Sequence, residues 1–214
     1  AEVVIGAASR VYADGLSGAH AEPFAYAAGV VIMGFVFARK LWSRGIQTFA
    51  DFFRDRFSAK TERLAAVLLI PGSVLWAAAQ IRGFGQIIGS ATGIELETAL
   101  TLAAVAVIVY TVLGGLLADV YTDFVQAIVI VIGLIGLCWI ALAEVGGLMA
   151  GLGRVDPARF QLFPDGQSWI ALLEKWAIPV CGSIVAVELI SRILACRTAG
   201  IAGAAATIGG SAYL

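Results

Sequence analysis

Histidine occurs once in this chain, cysteine three times, and charged residues make up only 14% of 214 positions. Each scarcity excludes a class of protein. A membrane-embedded enzyme predicts clustered His, Asp or Glu within apolar segments, and a single histidine, His20, in a polar stretch with no ligand companions argues against one. Cys138, Cys181 and Cys196 sit at no metal-binding spacing. Two of them lie inside apolar runs and read as small buried hydrophobes. A net charge of −1 offers no electrostatic footprint for nucleic acid. No basic region precedes Val3-Val4-Ile5, so the start is not a signal peptide. It opens without Met and stops at Leu214 inside an Ala/Gly-rich apolar run, which reads as a piece cut at both ends.

What the chain does have is apolar surface. It is 60% hydrophobic with a mean hydropathy of +0.93, against about 45–50% apolar and 25% charged in ordinary soluble domains. A polytopic, all-α membrane protein is expected, with the lipid bilayer as its first partner. A hydrocarbon core about 30 Å thick needs roughly 20 helical residues. Residues 24–42, 64–89, 99–117, 124–142 and 168–196 supply such runs, and an Ala/Gly/Thr run closes the chain. Asp14-Gly15 ends a helix over 1–13, Ser17 to Glu22 reads as a short polar loop, and Pro23 is placed as a first-turn proline. Ala25 and Gly29, four apart, would let another helix approach closely, as would the notch at Gly85 and Gly89.

Charge fixes the orientation. Residues 39–63 hold seven basic side chains (Arg39, Lys40, Arg44, Arg54, Arg56, Lys60, Arg63) against three acids (Asp51, Asp55, Glu62). Short Lys/Arg-rich loops stay in the cytoplasm. Within this loop Phe49, Phe52, Phe53 and Phe57 recur at helical spacing opposite a charged face, the pattern of a helix lying in the membrane interface. Residues 90–98, with Glu95 and Glu97 and no basic residue, then fall outside. Alternation puts the 114–123 turn inside and 144–168 outside. That outer segment is Gly-rich, has turns at Asp156-Pro157 and Pro164-Asp165, and has room for a short helix.

Several polar groups lie in or near the apolar zones. Trp76, Gln80, Arg82 and Gln86 share the far half of the second span, where Pro71-Gly72 predicts a kink. Intramembrane polar groups face a bundle interior or a watery cavity. Gln80 fits a cavity, Arg82 fits that or snorkelling to the interface, and Trp76 fits a cavity or helix packing. Pro179, Gly182 and Ser183 weaken the ladder of the span at 168–196, and Glu188 and Arg192 are spaced to pair. Asp123 stands at the lip of a hydrophobic run, where an aspartate well inside the bilayer costs about 2.5–3.5 kcal/mol. Either it, or Thr122, caps a helix start, or it is kept for a cation. Broken helices around a midplane cavity are how secondary transporters build their sites, but on chemistry alone a channel or membrane enzyme fits nearly as well.

The stretch Tyr110-Thr111, Gly114-Gly115-Leu116, Thr122-Asp123 and Gln126 resembles the sodium/solute symporter family, which includes sodium/proline, sodium/pantothenate and sodium/sugar cotransporters. Thr48 to Arg63 (TFADFFRDRFSAKTER) is similar to its inner loop. Glu188 to Arg197 (ELISRILACR) is similar to the inner end of its sixth core helix, and Gly6 to Ser17, with Tyr12 and Gly15, to the exit of its first. One departure is Leu117-Ala118-Asp119-Val120, where a basic or small residue followed by Ala-Val is usual; Asp119 is a local peculiarity or a second acid at the inner mouth.

The resemblance implies part of a leucine-transporter-like, inverted-repeat helix bundle, from the outer half of core helix one to the start of core helix seven. It implies sodium-coupled symport of a small organic solute by alternating access, in a plasma membrane such as the bacterial inner membrane. There is no enzyme chemistry, and no cofactor beyond sodium as coupling ion. A symporter-like sensory domain reporting to a kinase is the alternative. Asp123 matches an acidic residue associated with a further sodium site or the sodium exit path, with Thr122 and Gln126 in the same motif. Glu22 falls where sugar-carrying members place a substrate-binding glutamate. Trp76, Gln80 and Ser183 are cavity candidates by position. The main sodium site of the family needs helices outside this sequence, so the segment alone is not expected to transport.

Overall fold

A computed structural model describes residues 2–163, 166 and 168–213, with the side chains of the first two of these left aside. The expected turn at Pro164-Asp165 lies outside the described residues. Among the described residues ten α-helices follow one another: α1 Glu2–Asp14, α2 Tyr26–Ile32, α3 Arg39–Trp42, α4 Phe49–Arg56, α5 Ala59–Thr92, α6 Leu96–Val145, α7 Leu148–Leu152, α8 Trp169–Ile184, α9 Val187–Leu194 and α10 Ala199–Ala212. The described residues hold no strand and are 86% helical. Backbone N–H and C=O groups cannot be left unpaired in lipid, and a helix pairs them within itself. Among the described residues, four helical stretches are long and apolar enough to cross a membrane: Val4–Trp42, Ala59–Thr92, Leu96–Val145 and Trp169–Leu194. The protein is an all-α, multi-pass membrane protein.

The residues form two compact units. One contains Ala78–Pro157. In it, the expected outer loop over 90–98 shrinks to a turn, because α5 runs to Thr92 and α6 restarts at Leu96. The notch at Gly85 is real: a Cβ there would stand 2.6 Å from the Leu100 side chain. At about 1.5 Å per residue, the 50 residues of α6 would reach about 75 Å, far more than a bilayer core. Gly115 breaks it, at φ 54° and ψ −150°, a conformation that only glycine takes without strain. Both pieces, 96–114 and 116–145, are long enough to cross. The cap expected at Thr122 or Asp123 is therefore displaced to Gly115, and both residues lie inside the second piece. The short helix expected outside is present as α7, and Pro157 opens a 3-10 turn, Pro157–Phe160.

The other unit comprises Val3–Ala77 and Ala158–Leu214. Its core is made of Met33, Ala38, Ile190, Ile193, Ala202 and Ala206, flanked by Leu41, Trp42, Phe49 and Leu194. Small residues along α10 (Ala202, Gly203, Ala206, Gly210) are buried and bring its backbone close to the chain over 27–34. Van der Waals packing of small-residue faces is what holds helices together where lipid removes the hydrophobic incentive. Trp42 adds one polar tie, its indole N–H donating to the Cys196 carbonyl at 2.7 Å. Gly29 behaves as its spacing predicts, meeting Val180 and Ser183 of α8.

Three expectations need correction. Ser17 to Glu22 is not an open loop: Gly15–Ala19 is a 3-10 turn entered at Gly15 (φ 71°), His20–Ala25 is π-wound, and Glu22 (φ −135°, ψ 125°) departs from helix before Pro23 restarts it. The α5 helix is continuous through Pro71, which a kink there permits, since one lost hydrogen bond is small within 34 cooperative residues. The break expected around Pro179, Gly182 and Ser183 falls at Val185-Ala186, where Ala186 is extended (ψ 120°). The Ser183 hydroxyl has by then turned back onto the Val180 carbonyl at 2.9 Å, and such back-bonding loosens a helix end. Cys138 and Cys181 are exposed, because the helix faces that carry them have no protein neighbour to cover them.

The basic loop holds a short helix where its aromatic spacing predicts one, except that Phe57 falls just past its end. Thr48 caps α4 and forms a reciprocal box with Asp51: the Asp51 N–H donates to Thr48 Oγ1 at 3.3 Å, and the Thr48 N–H donates to Asp51 Oδ2 at 2.8 Å. Phe49, Phe52 and Phe53 pack ring on ring, and Arg44 lies over the Phe52 ring at 5.3 Å. The backbone N–H of Thr48, helped by that of Gln47, holds the Asp51 carboxyl below its ordinary range, against a smaller desolvation effect. A depressed folded pKa makes the cap's contribution complete above the unfolded value, about 3.9, and lost as pH falls through the folded one. Amide-exchange protection of α4, corrected for intrinsic rates, should hold from neutral pH to about 5 and decline below about 4. Thr48→Ala should cost α4 about 1 kcal/mol at neutral pH. Protection rising on acidification would refute the cap.

Candidate functional site

Three interruptions of helix organise the polar residues: Glu22-Pro23, Gly115 and Val185-Ala186. Where a helix is interrupted its backbone groups lose their internal partners and become available to a ligand. The first and third belong to one unit, and the segments carrying them, His20–Ala25 with α2 and α8, pack on each other.

Beside the first interruption, Glu22 is half-buried. The Tyr26 and Tyr213 rings meet at 5.4 Å, and the charge of Glu22 reaches both phenols; Glu188 and Arg192 of α9 reach Tyr26. The spacing of Glu22 and Tyr26, four apart, put one turn of this cluster in the sequence. Tyr213, 187 positions further on, carried no such signal. Ser183 is 2% exposed, in the last turn before the third interruption, with its oxygen against Gly29. Trp76 is 53% exposed on α5. A carboxylate, two phenols and a helix interruption make a surface that can face a small polar or cationic solute.

The second interruption carries the cation candidates. Asp119, Thr122 and Asp123 are half-buried in the two turns after Gly115, and Gln126 is exposed one turn on. Thr122 donates its hydroxyl to the Asp119 carbonyl at 2.9 Å, which leaves its oxygen lone pairs to accept. Thr122, Asp123 and Gln126 stand at i, i+1 and i+4, so all three fall on neighbouring faces of one helix. Oxygen donors of this kind suit a hard cation. Gln80, on α5, belongs to the same unit as these three, whereas Glu22, Trp76 and Ser183 belong to the other.

The lone histidine has companions after all. His20 is 2% exposed, and its Nδ1 accepts the Trp176 indole N–H at 2.9 Å. The Phe163 ring lies 5.4 Å away. Both partners are about 150 residues distant, so spacing could not reveal them.

A family model for the sodium:solute symporter family matches residues 1–210. The chain belongs to that family. The high-affinity choline transporter 1 of Drosophila melanogaster is 31% identical over 205 residues, covering 91% of this chain and 31% of that protein. The human high affinity choline transporter 1 is 32% identical over 133 residues, 60% of this chain and 22% of its own. The sheep sodium/glucose cotransporter 1 is 31% identical over 125 residues, 56% of this chain and 18% of its own. The chain thus spans between about a fifth and a third of the curated relatives it matches. No solved structure matches it. The resemblance carried by the paired-glycine stretch, the inner loop and the ELISRILACR segment is that of a family member throughout.

Proposed function

We propose that the protein to which this chain belongs is a sodium-coupled symporter of a small organic solute. It would reside in a plasma membrane with residues 39–63 in the cytoplasm and 144–168 outside. Membership of the family supports this, and the observation that carries it is the coincidence of family motif and structure: the motif's glycines break α6, and its Thr122, Asp123 and Gln126 follow on adjacent helical faces. Sodium binding favours the outward-open state, solute binds beside the interrupted helices, and helix bundles then rock to release both inward. Each sodium charge moving down 100 mV supplies about 2.3 kcal/mol, with its concentration gradient in addition. Work of this kind breaks no bond and needs no catalytic residue and no cofactor other than the coupling ion. The relatives named are transporters, and none of them favours the sensory alternative.

Choline is the first solute to try, since two of the relatives carry it in their names. Uptake of radiolabelled choline, proline and glucose by cells expressing the full-length protein, in sodium and in choline-free potassium medium, is the test. Sodium-dependent accumulation of at least one small solute is expected. Equal uptake of every solute in both media would reject coupling to sodium.

A further inference from the structure

Residues 158–163, which take in most of the 3-10 turn at Pro157–Phe160 and the residues just after it, carry an attachment that transport by itself does not explain. The Arg159 guanidinium donates from Nη2 to the carbonyls of Val11 and Tyr12, in the last turn of α1. The Arg159 backbone seats on Gly15: a Cβ there would stand 2.7 Å from the Arg159 carbonyl, so no other residue would allow this approach. Further along, Phe163 lies against His20, and His20 is tied in turn to Trp176 of α8. One short segment thus binds the end of α1 and the wound stretch leading to the Glu22 interruption and, through His20, reaches α8.

The last of these ties is incomplete. With Nδ1 accepting from Trp176, neutral His20 carries its proton on Nε2. Among the described residues, that N–H is buried without a hydrogen-bond partner. The Leu162 carbonyl is near enough to act on the ring electrostatically without completing a bond. A buried donor with no acceptor opposes the arrangement that buries it, and such groups mark places a protein can open.

We infer that residues 158–163 form a clasp on the outer face, which holds the Glu22 interruption closed against α8 and must release for solute to enter from outside. The inference rests on the orientation given under Proposed function. Arg159 is its fixed end, tied to two carbonyls. The His20–Phe163–Trp176 contact is the end that lets go.

The test uses the full-length protein in intact cells and in inside-out vesicles, in a cysteine-free background with Ala19→Cys as reporter. Ala19 is 2% exposed and adjoins His20, so it samples the closed clasp. A membrane-impermeant maleimide should label it slowly from outside in sodium-free medium. Arg159→Ala, and separately Trp176→Phe, should raise that rate about tenfold by shifting a two-state equilibrium. Thermal unfolding at matched surface expression checks that each variant is folded. If Arg159→Ala fails to reach the surface, Trp176→Phe, which keeps an aromatic ring and removes the indole donor, carries the test alone. Unchanged outside labelling in folded variants would overturn the clasp and leave symport standing. Labelling from the vesicle side alone would overturn the orientation, and the clasp with it.

Discussion

Gly29→Val is expected to separate α2 from α8 and to destabilise the protein by about 3 kcal/mol or more. Overpacking ordinarily costs about 1–3 kcal/mol because side chains can yield. Here they cannot yield far enough. A Cβ at Gly29 would stand 1.8 Å from Ser183 Oγ and 2.6 Å from the Val180 carbonyl oxygen. The hydroxyl could rotate away, but the carbonyl belongs to a helix backbone, so the two helices must move apart. They carry Glu22-Pro23 and Val185-Ala186 respectively, and separation would disturb both interruptions together. Thermal unfolding in detergent should show a large fall in midpoint for Gly29→Val. Adding Ser183→Ala should restore only part of it, because Val180 remains in the way. Gly133→Ala on α6, where nothing lies within 4 Å, is the control and should be neutral or slightly stabilising. A Gly29→Val protein as stable as that control would show that the helices do not meet at this point.

Asp123→Asn in the full-length protein should raise the sodium concentration for half-maximal uptake about tenfold, which corresponds to about 1.4 kcal/mol of cation binding. The substitution keeps the shape and removes the charge, so expression and folding should be unaffected. Asp119→Asn should do less. What Asp119 offers to Thr122 is its backbone carbonyl, which the substitution retains. Sodium-activation curves for solute uptake, measured for both variants at matched surface expression, separate the two. Sodium dependence unchanged in Asp123→Asn would sink its assignment to the cation pathway. An equal loss in both variants would show that charge at the inner mouth in general, rather than Asp123 in particular, attracts the ion.

How much of this could be read beforehand depends on the range over which each signal acts. The spans, the α4 helix and the approach at Gly29 follow from hydropathy, aromatic spacing and small residues four apart, all of them properties of one segment. The positions of helix breaks were half legible. Gly-Gly at 114–115 announced one correctly, since only glycine takes φ 54° freely. Proline ended neither helix: Pro71 and Pro179 both lie inside continuous helix, because a proline removes one bond while the rest of the ladder persists. The break at Val185-Ala186 instead follows a serine hydroxyl turned back on its own helix, a competition whose winner depends on what packs nearby.

The sequence by itself determined that this is a multi-pass helical membrane protein of the sodium:solute symporter family, with a short aromatic helix in its basic loop. Those properties rest on transfer of side chains into lipid and on contacts within one turn of helix, which neighbours in the chain suffice to specify. Only the tertiary structure decided that His20 is buried between Phe163 and Trp176, that Arg159 closes the end of α1, and that Tyr213 joins Tyr26 beside Glu22. These groups lie about 150 to 190 positions apart in the chain, and which of them meet is set by how the helices pack, a choice that no local pattern encodes.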